Sequence, residues 1–207
     1  MKFARTFGLV VLLSSVLGSF SYAQQTSGAP SPTAPQAQPS QPSPSTIAAV
    51  VEREVGMYEK LMVEAAEAMP EEKFNFSPAS LNLPGSAFKD VRTFAELVKH
   101  TATTNYGLWS TAAGEKTPEN IKGPNGPEEL KTKAEIVRFL KDSFVVGHRA
   151  AQTLTPANML EPVPFRNNTA PRLFLATFAI IHCGDEYGQM VEYLRMSGIV
   201  PPASRGH

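Results

Sequence analysis

The chain has 207 residues, 42% of them apolar, with 19 basic and 19 acidic side chains and one cysteine. That length suits one sizeable domain with appendages rather than two domains. Zero formal net charge argues against nucleic acid as a partner and against electrostatic attachment to anionic membranes, and a lone cysteine closes no intramolecular disulfide.

Residues 1–23 read as a signal peptide. Lys2 and Arg5 supply the positive start, Leu9 to Leu17 the short apolar core, and Ser21 and Ala23 the small residues that precede cleavage before Gln24. The apolar run is too short to span a bilayer comfortably, and no cysteine follows it to carry a lipid. The expectation is an exported protein, periplasmic or extracellular, with no stable membrane anchor after cleavage. Residues 24–45 collapse to Pro, Ser, Gln, Ala, Thr and Gly. With nothing to bury against the entropy of ordering, they are expected to form a disordered linker.

Residues 46–204 carry the helical pattern. The first helix is expected from Ser45 or Thr46 to about Met69, with Ile47, Val50, Val51, Tyr58, Leu61, Met62 and Ala65 along one stripe and Pro70 as its stop. Pro78, Pro84 and Gly85 make the next stretch an irregular connection. Thr93-Phe94-Ala95-Glu96 fits a capping box, so a second helix starts there, buries Phe94, Leu97, Val98, Thr101, Asn105 and Leu108, and fades after Trp109. Gly114 to Pro127 reads as a long crossover. Thr132-Lys133-Ala134-Glu135 offers another capping box for a third helix, with an earlier start near Pro127 left open. Val137, Leu140, Phe144, His148 and Ala151 share its face, and Pro156 ends it. After a loop with Pro162 and Pro164, a fourth helix is expected from Asn168 or Thr169, with Pro171 in its first turn, to a cap at Gly198. No strand pattern of any length is visible. The expected fold is all-α, a four-helix bundle with long crossover loops.

Chemistry concentrates on the fourth helix. Leu175, Phe178, His182, Glu186, Gln189 and Tyr193 recur at steps of three or four and share one stripe. Its upper half is apolar; its lower half carries an imidazole, a carboxylate and an amide. Buried unpartnered, such groups cost several kcal/mol, so they pair with each other, with water or with a metal. His182 and Glu186, four apart, project from successive turns. A third ligand has to come from another helix, and His100 on the second is the best-placed candidate. Two imidazoles and one carboxylate suit Zn, Ni or Fe(II) and leave positions for water or substrate. A simple buried His–Glu hydrogen bond explains the pair equally well.

Other polar residues have plainer readings. Cys183, one residue off the stripe, reads as a small buried helix residue, with a redox-sensitive or metal-adjacent thiol as the alternative. His148 reads as a core or boundary histidine with one hydrogen bond, the alternative being support or proton transfer for the site. Tyr106, Trp109 and Tyr193 read as core aromatics that could also line a pocket. No phosphate-cradling glycine loop, nucleophile elbow or paired-cysteine zinc motif is present.

From about Thr46 to Ser204 the sequence resembles the DinB/YfiT-like family of metal-binding helical bundles. The resemblance rests on His182 through Tyr187-Gly188-Gln189, then Tyr193-Leu194-Arg195-Met196 and Gly198-Ile199-Val200-Pro201-Pro202, with His100-Thr101-Ala102 to Asn105-Tyr106 on the second helix. The resemblance implies a metal held by His100, by His182 and by the residue at 186, where the family usually has histidine and this chain has Glu186. A carboxylate remains a competent ligand, but it adds negative charge, lowers Lewis acidity and shifts metal preference. Glu186 paired with a histidine would instead leave a vestigial site, and Asp185 is a fallback ligand. The resemblance also implies a metal-dependent hydrolase or transferase acting on a small molecule, since relatives include thiol-dependent S-transferases and a thiol-dependent isomerase, with many members described as hydrolases. Export favours hydrolysis, because low-molecular-weight thiols are mainly cytoplasmic. A non-catalytic ligand-binding or structural bundle is the alternative, and a homodimer is left open.

Overall fold

The computed structural model describes residues 45–206. The expected signal peptide, the linker up to residue 44 and the terminal His207 lie outside the described residues. Four helices carry the fold: α1 (Ile47–Ala68), α2 (Phe94–Ala113), α3 (Lys133–Thr153) and α4 (Arg172–Met196). No helix among the described residues is long and apolar enough to cross a membrane.

Local chemistry sets the starts. Thr46 caps α1 by accepting from the Ala49 amide. Thr93 and Glu96 form a complete capping box on α2, and Thr132 and Glu135 a second one on α3, so α3 starts at that box rather than near Pro127. The second helix does not fade after Trp109. It continues to Ala113 and stops at Gly114, whose φ of 79° is the left-handed cap conformation.

Cross-helix contacts fix the arrangement. Lys133, at the start of α3, donates to the carbonyls of Glu67 and Met69 at the end of α1, while His148 late in α3 meets Glu52 and Glu59 early in α1. These two helices are antiparallel. Asn105 pairs with Ser143, and Trp109 packs on Gly147 one turn later, so α2 and α3 run parallel. His100 meets His182, whereas Trp109 donates to the Ala176 carbonyl and Arg172 to that of Ala112, so α4 descends against α2. Around the bundle the order is α1, α3, α2, α4. The core runs along its axis, with Phe94, Trp109, Phe144, Met62, Met69, Leu140, Leu175 and Met190 fully buried.

Three further expectations are corrected. The loop before α4 holds a two-stranded antiparallel hairpin, β1 (Pro162–Phe165) and β2 (Asn168–Pro171), although no strand pattern had been visible. Prolines fit because both strands of a two-stranded ribbon are edges, where an amide is not always needed. Arg166 takes the positive φ (53°) that turns the chain. Consequently α4 starts at Arg172, with Pro171 as its cap, and not at Asn168 or Thr169. On α1, Val50 is exposed and Val55 is buried in its place, because that helix packs between two neighbours and its buried face is turned accordingly.

Candidate metal centre

His100 sits in the second turn of α2, and His182 and Glu186 on consecutive turns in the middle of α4. The antiparallel packing of α2 on α4 brings all three together. The two Nε2 atoms are 3.2 Å apart, and Glu186 Oε1 lies 3.5 Å from His100 Nε2 and 3.4 Å from His182 Nε2. Two ligands on a tetrahedral ion with bonds of about 2.05 Å stand about 3.3 Å apart. The triangle therefore has the size that one such ion requires, and these are the described residues whose side chains could hold one.

The surroundings aim the three groups. His100 Nδ1 lies against the Pro124 carbonyl, which only accepts, so Nδ1 carries the proton and Nε2 presents a lone pair to the cluster. Opposite it, His182 Nε2 either shares a proton with that lone pair or opposes it with its own, an arrangement that a cation between them would relieve. His182 Nδ1 is buried without a partner among the described residues. Gln189 donates to Glu186 Oε2 at 3.3 Å, which leaves Oε1 for the imidazoles. Gln189 also bonds Asp185, and this exposed aspartate takes no part in the cluster.

Burial dominates the electrostatics. It pushes His182 down to about 4, helped by the nearby His100, and lowers His100 as well. It raises Glu186 to about 7, with the Asp185 charge adding to the effect. The imidazoles are thus neutral and ready to coordinate at physiological pH, while burial holds the carboxylate only partly ionised, and a cation would displace its remaining proton. Each histidine side chain keeps 18% of its surface exposed against 5% for Glu186, so the cluster opens to solvent on the imidazole side. Charge, donor type and spacing all fit a divalent metal.

Other candidates lie elsewhere. His148 is not a core histidine with one hydrogen bond: it is part-exposed and bonded at both nitrogens, to Glu52 at 2.8 Å and Glu59 at 2.9 Å, on the α1–α3 face away from the cluster. Cys183 is buried, donates to Asn105, and is pushed by burial up to about 12, so it stays a protonated core thiol. Trp109 is fully buried in the core and Tyr106 stacks on Phe139. Tyr193 is buried too, but its hydroxyl reaches the Arg92 carbonyl at 3.0 Å. Arg92 and Pro124 stand beside the site without any sequence signal that could have announced them, because each reaches His100 or α4 through a loop.

The family model for the DinB superfamily matches residues 58–190, more than half of the chain and all three residues of the cluster. A solved structure of a DinB-like protein from Bacillus cereus ATCC 10987 aligns with a TM-score of 0.57 at 16% identity, covering 76% of this chain and 96% of that one. At that identity the likeness shows the fold. No curated protein matches the chain.

Proposed function

The chain belongs to the DinB superfamily, and from that premise we propose that it is a metal-dependent enzyme acting on a small molecule, with His100, His182 and Glu186 as its metal ligands. The observation that carries this reading is the triangle of two imidazole nitrogens and one carboxylate oxygen, 3.2 to 3.5 Å on a side. Zn, Ni or Fe(II) suits such a set and, when bound, supplies a Lewis acid and a water of lowered pKa.

The chain's residues do the remaining work. Pro124 fixes the His100 tautomer, Gln189 holds Glu186 in register, and the walls of the bundle keep water from the buried side. Glu186 where the family usually has histidine adds a negative charge, which moderates Lewis acidity and favours a harder ion. The signal-like residues 1–23 favour export, and outside the cytoplasm hydrolysis is a better fit than thiol-dependent transfer. The second reading, a ligand-binding or structural bundle with a vestigial centre, draws on the unpartnered His182 Nδ1, since metal-bound histidines normally donate that proton to a neighbour.

Elemental analysis of protein purified without chelator separates the two. The enzyme reading expects about one metal per chain in the wild type and almost none in His100→Ala/His182→Ala, because two of three ligands are gone. A full equivalent of metal in that double variant overturns the ligand assignment. Glu186→His should tighten metal binding if position 186 coordinates; unchanged affinity removes Glu186 from the set.

A further inference from the structure

Four consecutive residues fasten the crossover between α2 and α3 to its surroundings. The Pro124 carbonyl lies against His100 Nδ1. Asn125 Oδ1 accepts from Arg92 Nε at 2.9 Å. Gly126 packs so closely that an added Cβ would collide with the Thr103 hydroxyl of α2 and touch the Phe139 ring of α3. Its φ of 70° is in the left-handed region that a side chain disfavours. The buried Pro127 presents its carbonyl to Lys99 Nζ at 2.8 Å. Arg92 is itself held, because Tyr193 of α4 donates to its carbonyl at 3.0 Å.

Burial does not account for this run of contacts. Pro124 is exposed, and Asn125 and Gly126 are half-buried. The loop is not backed by core there: with Glu96 and Lys99 of α2 it lines a cleft of about 670 Å³. On either side of the run, Lys122 and Glu128 face solvent, and a Cβ added at Gly123 would touch nothing. What the contacts fix is the Pro124 carbonyl, and that carbonyl orients one residue of the cluster. His182 lacks such support, since its buried Nδ1 has no partner among the described residues. Of the two imidazoles, His100 is the one aimed from outside.

Building on the metal-centre reading above, we propose that Arg92, Asn125 and Gly126 are positioning residues for the metal. They clasp the crossover loop so that the Pro124 carbonyl holds the His100 ring with its Nε2 lone pair toward His182 and Glu186. An imidazole coordinates only through a nitrogen that carries no proton, and only at a suitable ring angle. Releasing the carbonyl therefore costs affinity twice: the proton moves to Nε2 in a share of the molecules, and the ring turns. The three residues act through Pro124 and touch neither the ion nor a substrate.

Two measurements test this, both made well below the melting temperature. One is zinc affinity, by competition with a chromophoric chelator. The other is the protonated nitrogen of His100, read from proton–nitrogen NMR spectra of the metal-free protein, which should be Nδ1 in the wild type. Asn125→Ala breaks the clasp but keeps the Arg92 charge, and Gly126→Ala lifts the loop. Both should bind zinc about tenfold more weakly, the lower end for partners outside the ligand set, and both should show His100 protonated at Nε2 in a share of the molecules. His148→Gln, which loosens the fold on the α1–α3 face, should leave both readouts at their wild-type values, so lost stability alone does not mimic the effect. In the Asn125→Ala background, Arg92→Gln has no clasp left to break and removes a charge that repels the cation. The double variant should thus bind zinc no more weakly than Asn125→Ala alone, and further weakening removes Arg92 from the clasp. A wild type that binds no zinc fails the metal-centre reading, and with it the role given to the clasp. A wild type that binds zinc, while either readout stays put in a folded Asn125→Ala, overturns the clasp alone; should Gly126→Ala not fold, Asn125→Ala decides.

Discussion

A histidine with a carboxylate at each ring nitrogen has to be an imidazolium, because both partners only accept. His148 is in that position between Glu52 and Glu59. Burial pulls its pKa down, but the hydrogen bonds it donates to Glu59 and Glu52, with the charges of the two carboxylates, outweigh it, and the net shift is upward. Such a group contributes stability that is fully present below the unfolded value of about 6.5 and is lost as pH rises through the higher folded value. Thermal melts of the wild type and His148→Gln should therefore differ more at pH 6 than at pH 9. A gap that stays constant or widens toward pH 9 would show that the bridge does not depend on the imidazolium. The candidate centre was legible at this scale through spacing: His182 and Glu186 are one helical turn apart, and His100 was the polar residue at the edge of the second helix's buried side. The partners of these residues and of His148 were not legible. Pro124, Glu52, Glu59 and Arg92 approach from loops or other helices, and no periodicity records a contact made across such a distance in sequence.

Helix starts carry their own signals in short range, so the two capping boxes at Thr93 and Thr132 and the stop at Pro70 could be read directly. The hairpin could not. Its strands hold three prolines in eight residues (Pro162, Pro164 and Pro171), which read as breakers, and its pairing exists because Val163 is buried and Phe165 packs against Phe174 and Phe178 of α4. Close packing between elements is similarly silent in sequence. Gly147 of α3 looks like a weak point in a helix, yet a Cβ there would stand 2.7 Å from the buried Trp109 ring. Alanine at that position gains about 1 kcal/mol of helix propensity. Forcing a methyl into an indole that also donates to the Ala176 carbonyl costs about 1–3 kcal/mol and strains that hydrogen bond as well. The clash should win, so Gly147→Ala is expected to unfold at a lower denaturant midpoint with an unchanged m-value. A midpoint equal to or above the wild type's would mean that Trp109 can move aside at no cost.

In the whole molecule, α1 and α2 never pack side by side, and α2 meets α4 across the face that holds the cluster. Order around the bundle, α1, α3, α2, α4, differs from order along the chain, and the neighbours α2 and α3 run parallel, which is why the connections between helices have to be long. An ion shared by His100 of α2 and by His182 and Glu186 of α4 would join two helices that are distant in sequence. It would also remove the mismatch left by a partly protonated carboxylate and two facing imidazoles in a buried setting. Since the unfolded chain cannot assemble this triangle, binding adds to folding stability. A free metal concentration one hundredfold above Kd contributes about 2.7 kcal/mol, and for a domain of this size that raises Tm by about 5–10 °C. Chelator should lower the wild-type Tm by that amount, re-addition of zinc should restore it, and His100→Ala/His182→Ala should melt at one temperature in either condition. A wild type indifferent to chelator, with its melting temperature already equal to that of the metal-free protein, would leave the cluster as a polar pair bonded within the bundle and remove the link between ion and fold.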